Sequence, residues 1–354
     1  MVSGMELIES LARRLGPYER ESASKYKFNC PVCGGAQTLH INPKKDGGPG
    51  ICIGCGLRTN SVAILHLKGK DAKIAVREKP KVDIDWEDVS RICQFLVDNA
   101  SLRPVHEKWL SSRGIRSNLS SRPRINSMLV RSSDKAFHLL LDNFPVEKLV
   151  RCGFCIMRDG ETPRAPGFLT PNRILIPYFD VNAKPVYMRS RYAGSAGTLR
   201  YLAPPNLPGS GFSWGWETIL PGSEYVIITE GELKAQAAKQ LGFPCVALPG
   251  MHAGYVSMAE SCGAKGVKKA YVIFDTETDT YSNGELKMQG VRASAEALQN
   301  TLLEYGIKSV LCELPALNKG KTDLDGFILT RRSESIRDLI MLMISSDRSP
   351  VGPP

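Results

Sequence analysis

The sequence lacks several features that would define other classes of protein. It has no run of about 18 apolar residues, so it predicts no membrane span. Its first residues lack the basic-then-apolar pattern of a secretory signal, and we therefore expect a cytoplasmic protein. It contains no complete phosphate-binding loop, because Gly320-Lys-Thr lacks the earlier glycine of that motif. A P-loop helicase is therefore excluded.

Positive and negative charges are distributed unevenly along the chain. Residues 1–222 carry 32 Lys and Arg against 20 Asp and Glu, whereas residues 223–354 carry 14 against 16. This segregation indicates an enzyme that holds a polyanion with its first part and acts on it with carboxylates and metal in its second part. Charge that only maintains solubility is the alternative, and it leaves the segregation unexplained.

The ten cysteines, without a secretory signal, indicate a reducing compartment and metal binding rather than disulfides. Two Cys-x-x-Cys pairs have 18 residues between them, which is the spacing of a four-cysteine zinc site. The predicted ligands are Cys30, Cys33, Cys52 and Cys55. Four thiolates leave no open coordination position, so the zinc would be structural. A third pair, Cys152 and Cys155, stands alone and is interpreted as part of the core.

Two short apolar runs each end in an acid. Residues 225–229 precede Glu230, and residues 270–274 precede Asp275. Such runs are typical of parallel strands buried on both faces, and ligands bind beyond the carboxyl ends of these strands. Acids at two such ends can share one Mg²⁺ or Mn²⁺ ion. For Glu230 alone, helix capping or simple solvation is an equal alternative.

From residue 223 onward, the pattern alternates between strand and helix, which predicts an α/β fold with a parallel sheet flanked by helices. The predicted strands are 225–229, 244–248, 269–274 and 308–313, and the predicted helices are 231–241, 255–262, 286–305 and 334–345. Before residue 223 we predict helices at 5–15 and 86–99 and paired strands at 172–180 and 185–191. The predicted domains are a zinc ribbon with linker (1–80), a basic α+β module (81–222) and a catalytic domain with a C-terminal helix (223–354).

The order of these parts resembles bacterial and phage primases of the zinc-ribbon plus TOPRIM type. The resemblance covers about residues 25–315. Besides the ribbon, it rests on Trp109-Leu-Ser-Ser-Arg-Gly-Ile115, on Asn172-Arg-Ile-Leu-Ile-Pro177 with Arg189 and Arg191, on Arg200-Tyr-Leu202, on Glu230-Gly231 and on Asp275-Thr-Glu277.

The resemblance implies a DNA-dependent RNA polymerase that starts short primers on single-stranded DNA from ribonucleoside triphosphates. It implies that Glu230, Asp275 and Glu277 hold magnesium or manganese. It also implies that template, primer or nucleotide phosphates contact Arg173, Arg189, Arg191 and Lys234. A separate replicative helicase is a possible partner, and a phage or other mobile element is the expected origin.

The chain departs from the family pattern at two places. The second acidic motif is Asp-Thr-Glu rather than Asp-x-Asp, and Lys234 stands where the family usually has an aspartate. Candidate replacement ligands are Asp279, Asp323 and Asp325, although the last two residues also fit a loop that enters a helix.

Two other functions are compatible with these residues. One is another enzyme built on the same metal fold, a nuclease or a strand-passing topoisomerase. The chain is short for a topoisomerase. A nuclease with this metal fold usually comes with an ATPase, and the sequence contains none. The other is a zinc-ribbon replication factor that binds nucleic acid without catalysis.

Overall fold

The structure is a computed structural model of the 354-residue chain. It describes residues 4–22, 25–29, 39–42, 49–52, 58–60, 84–118, 128–157, 162–194, 200–205, 207, 211–250, 254–276, 281–282, 285–315, 322–331 and 334–348. The chain divides into two compact units, Met1–Val82 and Asp83–Pro354. No helix in these ranges is both long enough and apolar enough to cross a membrane.

In its described residues, the first unit is a small antiparallel sheet with one helix. Helix α1 is Gly4–Leu15, and the strands are β1 (Glu19–Ser22), β2 (Lys25–Phe28), β3 (Leu39–Ile41), β4 (Pro49–Cys52) and β5 (Arg58–Asn60). The strands pair in sequence order. Ile8 and Leu11 lie three residues apart on one face of α1, as an amphipathic helix requires. They pack into a core with Tyr26, Phe28, Leu39 and Ile41.

The second unit begins with helices and an antiparallel sheet. The helices are α2 (Trp86–Asn99), α3 (Pro104–Ser112), α4 (Ala136–Asn143) and α5 (Val146–Arg151). The strands are β6 (Ser117–Asn118), β7 (Met128–Leu129), β8 (Arg131–Ser132), β9 (Arg173–Phe179), β10 (Pro185–Tyr192) and β11 (Tyr201–Leu202). The sheet order is β11-β10-β9-β8, and β6 pairs with β7. The hairpin β9–β10 and helix α2 agree with the pattern of the sequence.

A parallel sheet follows in the same unit. Its order is β13-β12-β14-β17, and all three pairings are parallel. The elements are β12 (Val226–Glu230), α6 (Glu232–Gln240), β13 (Cys245–Leu248), α7 (Tyr255–Ala264), β14 (Lys269–Val272), β15 (Tyr281–Ser282), β16 (Glu285–Leu286), α8 (Lys287–Glu304), β17 (Lys308–Leu311), α9 (Leu324–Arg331) and α10 (Ser335–Arg348). The predicted alternation and the parallel sheet are confirmed.

Four helices were not anticipated from the sequence: α3, α4, α5 and α9. Each has no more than nine residues, so its periodic pattern covers too few turns to be distinguished from a loop.

One hydrophobic cluster extends across both sheets of the second unit. It includes Tyr178 and Tyr187 from the antiparallel sheet and Ile227 and Cys245 from the parallel sheet. A second cluster lies on the other face of the parallel sheet, under α7 and α8. The described residues 84–348 are therefore packed continuously across residue 222, where the sequence places a domain boundary. That boundary stays a prediction.

Candidate active site

A cavity of about 240 Å³ opens at the carboxyl ends of β12 and β14. This is where the rule for open parallel sheets places ligands. Acidic and basic side chains share its wall. The charged lining residues are Arg113, Arg191, Arg200, Glu230, Lys234, Asp275, Asp323 and Asp325.

Two of the predicted acids meet in this cavity. Strands β12 and β14 are neighbours, so Glu230 at the end of β12 lies beside Asp275, three residues beyond the end of β14. Burial raises the pKa of Glu230, and the adjacent Asp275 carboxyl group raises it further. The structure therefore brings these two acids together, and their role as metal ligands stays a prediction.

Asp323 directly precedes α9 and Asp325 lies in the first turn of that helix, and both line the same cavity. The backbone amide of Thr322 donates to the carbonyl oxygen of Thr276 at 2.8 Å. This pairing places Asp323 close to Asp275. The Asp323 carboxylate also accepts the amide of Gly326 at 3.0 Å, so it caps α9. Burial, followed by the charge of Asp325, raises the pKa of Asp323. Both readings of this segment therefore apply: it enters a helix, and it adds acids to the cavity.

Lys234 lies between the two central acids. It is four residues after Glu230, on the first turn of α6, and its Nζ lies 3.0 Å from Glu230 Oε1. The same Nζ lies 2.5 Å from Asp275 Oδ1. The lysine therefore bridges the two carboxylates that the sequence predicted as metal ligands.

The cavity lining also includes basic and aromatic side chains. Arg191 donates from Nη1 to the hydroxyl of Tyr201 at 2.5 Å, and its guanidinium lies 4.8 Å from the centre of the Tyr201 ring. Arg113 is paired with Asp325 at 2.7 Å, which joins the end of α3 to the start of α9. Arg200 precedes Tyr201 and is exposed. These basic groups line the same cavity as the acids and suit an anionic ligand.

Arg189 lies beneath the wall of this cavity rather than on it. Its Nη1 contacts Glu232 Oε1 at 3.1 Å and the carbonyl oxygen of Pro249 at 3.0 Å. Glu232 also accepts a short hydrogen bond from the hydroxyl of Tyr178. Because Glu232 and Tyr178 are fully buried, this network joins β9 and β10 to the start of α6.

Arg173 lies away from the cavity. It is 2% exposed, and its guanidinium lies 5.7 Å from the centre of the Tyr192 ring. Burial lowers its pKa. Its predicted contact with phosphate stays a prediction.

Several predicted site residues lie outside the described residues. These are Cys30, Cys33, Cys55, Glu277 and Asp279. Cys52 ends β4, but its side chain is likewise not described. Within the described ranges, no three His, Cys, Asp or Glu side chains lie close enough together to hold one ion as they stand. The zinc site and the third metal ligand therefore stay predictions.

The sequence did not point to four residues that shape this site: Arg113, Arg200, Tyr201 and Glu232. Arg113, Arg200 and Tyr201 belong to the motifs that carry the primase resemblance, but the sequence analysis assigned no role to them. Glu232 had no signal, because an acid in the first turn of a helix is common on exposed surfaces.

Comparisons with known proteins give one family and one fold. A family model described as a domain of unknown function, DUF3854, matches residues 215–334, less than half of the chain. That segment contains Glu230, Lys234, Asp275, Asp323 and Asp325. No curated protein gives a significant match.

Solved structures that resemble this chain include domains of bacterial DNA primases. The Aquifex aeolicus primase, with its zinc-binding and RNA polymerase domains, is 18% identical, with a TM-score of 0.55 over 98% of this chain and 86% of that chain. The E. coli primase catalytic core is 16% identical, with a TM-score of 0.52 over 76% of this chain and 86% of that chain. A DNA primase domain from Pseudomonas aeruginosa is 15% identical, with a TM-score of 0.53 over 72% of this chain and 78% of that chain. At this identity the likeness shows a primase-like fold.

Proposed function

We propose that this protein is a DNA primase, a DNA-dependent RNA polymerase that makes short RNA primers on single-stranded DNA. One observation carries the proposal. In a primase-like fold, Glu230 and Asp275 meet at the ends of adjacent parallel strands, in a cavity that Arg191 and Arg200 also line. Acids for a metal and arginines for phosphates are what nucleotidyl transfer needs in one place.

The donors in the cavity are of the kind that magnesium and manganese prefer, because they are carboxylate oxygens. Glu230 and Asp275 would hold the ion, with Glu277, Asp279, Asp323 and Asp325 as candidates for further ligands. When bound, the metal favours ionisation of the attacking 3′-hydroxyl and stabilises charge on the leaving pyrophosphate.

The chain's own basic residues would position the nucleotides. Arg191 and Arg200 line the same cavity as the acids, and bidentate contacts from arginine would fix the orientation of a triphosphate there. Lys234 is proposed to contact nucleotide phosphate from the acidic side. Arg189 is proposed to act from below, by holding Glu232 and the start of α6 in place. Arg173 is retained as a proposed template contact on the family resemblance alone.

The template proposal has two supports besides the cavity. The first is the positive charge of residues 1–222. The second is that one solved structure of similar fold is a DnaG primase catalytic domain bound to single-stranded DNA, with 14% identity and a TM-score of 0.54. The other expectations, a helicase partner and a mobile-element origin, stay predictions.

The experiment is a primer-synthesis assay. The full chain is incubated with single-stranded DNA, labelled ribonucleoside triphosphates and increasing Mg²⁺, and the products are separated by length. Short labelled RNA that depends on both template and Mg²⁺ is the expected result. Cleaved template without RNA would make the protein a nuclease, and binding without either product would leave a replication factor. Either outcome overturns the proposal.

We also propose a structural zinc ion held by Cys30, Cys33, Cys52 and Cys55. The spacing of the cysteines supports it. So does the small size of the first unit's core, since in its described part only six buried hydrophobic residues form the cluster. A unit of this size commonly needs a metal to fold. Elemental analysis of protein purified without chelators should give one zinc per chain, and its absence would overturn the assignment.

A further inference from the structure

Three charged groups share the floor of the cavity, and two of them are negative. The Lys234 ammonium lies 3.0 Å from Glu230 and 2.5 Å from Asp275. The side chains are 16%, 14% and 1% exposed, respectively, so water screens these charges weakly. The pair of carboxylates is thus neutralised in part by a cation that belongs to the chain itself.

The backbone holds this arrangement in place. Glu230 ends a central strand, and Asp275 follows the neighbouring strand, so their separation is set by the sheet. Lys234 lies on the same face of the chain as Glu230, four residues further on, in a helix that begins directly after the strand. Its ammonium therefore occupies the space where one ion could contact both carboxylates.

We propose that Lys234 is a resident cation that competes with divalent metal for the bridging position between Glu230 and Asp275. An ammonium and a divalent cation cannot occupy that position together, because each would contact the same two oxygens. Metal binding must therefore displace Lys234. The affinity for metal is then lower than it would be for the same two carboxylates without the lysine. The inference rests on the proposed function only in taking this cavity as a metal site.

The test measures metal binding rather than activity. The full chain is titrated with Mn²⁺, and the free ion is followed by its electron paramagnetic resonance signal. Lys234→Met should bind Mn²⁺ roughly tenfold or more tightly than the wild type, because a positive charge within a few ångströms of the ion is removed. Lys234→Gln, which keeps a hydrogen-bonding group, should show the same gain and covers the case in which Lys234→Met fails to fold.

Three further variants make the assignment specific. Lys234→Arg keeps the charge and should retain weak binding. Glu230→Gln added to Lys234→Met should remove the gain, which places the tighter site at these two acids. Lys308→Met changes an exposed lysine on β17 outside the cavity and should bind Mn²⁺ as the wild type does. If neither neutral Lys234 variant binds Mn²⁺ more tightly, Lys234 is only an ion-pair partner and the proposal is wrong.

The outcome is separable from that of the primer assay. Tighter Mn²⁺ binding by the Lys234 variants, in a protein that makes no primers, would support the resident cation and overturn the proposed function. Primer synthesis by the wild type, together with unchanged Mn²⁺ affinity in the Lys234 variants, would support the proposed function and overturn the resident cation.

Discussion

The two ends of helix α6 each place a lysine against acidic side chains, and they do so differently. At the carboxyl end, the Lys239 side chain is 2% exposed, and its Nζ lies 3.2 Å from both Glu217 Oε1 and the carbonyl oxygen of Gly215. The ring of Trp214 lies 4.4 Å away. At the amino end, Lys234 is partly exposed and contacts two carboxylates.

The difference lies in the balance of charge. Lys239 is matched by one carboxylate, one carbonyl and an aromatic face, so its charge has one counter-charge in a closed site. Gly215 fits this closed site with a φ of +105°, and a Cβ there would lie 3.2 Å from the Lys239 ammonium. At the amino end, Lys234 contacts two carboxylates, so this cluster beside an open cavity has one more acid than base. A buried charge that is balanced holds a fold together, whereas a surplus of one sign is available for a ligand.

The largest effect that this comparison predicts is on catalysis. Asp275→Asn should lower primer synthesis by about a thousandfold or more, because the carboxylate that would hold the metal becomes neutral. Its thermal unfolding should stay close to that of the wild type, since the amide still bonds to its neighbours. Glu217→Gln, at the other end of α6, is the matched control and should lower stability while the folded protein keeps its rate. Equal activity losses in both variants would erase the distinction between the two ends.

The next effect is on stability. Lys239→Met should lower the free energy of unfolding by about 3 kcal/mol, because Glu217 is left buried without its cation. Urea denaturation measures this change. Lys269→Met removes a lysine from a surface pair with Asp347 and should leave the unfolding curve where it was. Adding Glu217→Leu to Lys239→Met should restore much of the loss, since two apolar side chains can replace a buried pair. A Lys239→Met protein as stable as the wild type would mean that this end is not a structural clamp.

The sequence predicted the backbone of this region better than its side-chain partners. The apolar run before Glu230 and the alternation of elements are local patterns, so they gave β12, α6 and β14 within two residues of their observed limits. Convergence of Glu230 and Asp275 then follows from the general rule for parallel sheets. Contacts between distant segments have no such signal. Arg113 and Asp325 are 212 positions apart, and only the folded chain brings them together.

Lys234 shows a second limit of sequence analysis. Its position in the first turn of a helix was correct, but a lysine there is compatible with an exposed phosphate contact as well as with an internal ion pair. The bond to Asp275, 41 positions away, decides between these geometries in the structure. Asp323 is similar, since helix entry and a site acid looked like alternatives and the carboxylate is placed for both.

A smaller effect is expected in the middle of this comparison, at Glu232. Arg189→Met should lower the free energy of unfolding by roughly 2 kcal/mol, because the buried Glu232 loses its charged donor while Tyr178 remains bonded to it. Urea denaturation again measures the change, with Arg91→Met on the exposed face of α2 as the control. A loss confined to primer synthesis, with unchanged stability, would assign Arg189 to phosphate contact instead of to this network.

The smallest effect is expected at His106. Unlike Lys239 and Lys234, which are paired with acids, this basic group is kept neutral by burial. His106 is 1% exposed, and its Nδ1 lies 2.7 Å from Ser132 Oγ rather than from a carboxylate. Burial lowers its pKa below the ordinary value of 6.5. The His106 imidazole is therefore protonated more readily in the unfolded chain than in the folded protein. The stabilisation from the neutral histidine is complete above pH 6.5 and is lost as the pH falls from there through the lower pKa of the folded state.

Unfolding free energies measured between pH 5 and pH 8 should fall less steeply at the acid end in His106→Asn than in the wild type. His138→Asn, which changes an exposed histidine on α4, should follow the wild-type profile. Identical pH profiles for all three proteins would mean that His106 is not held neutral.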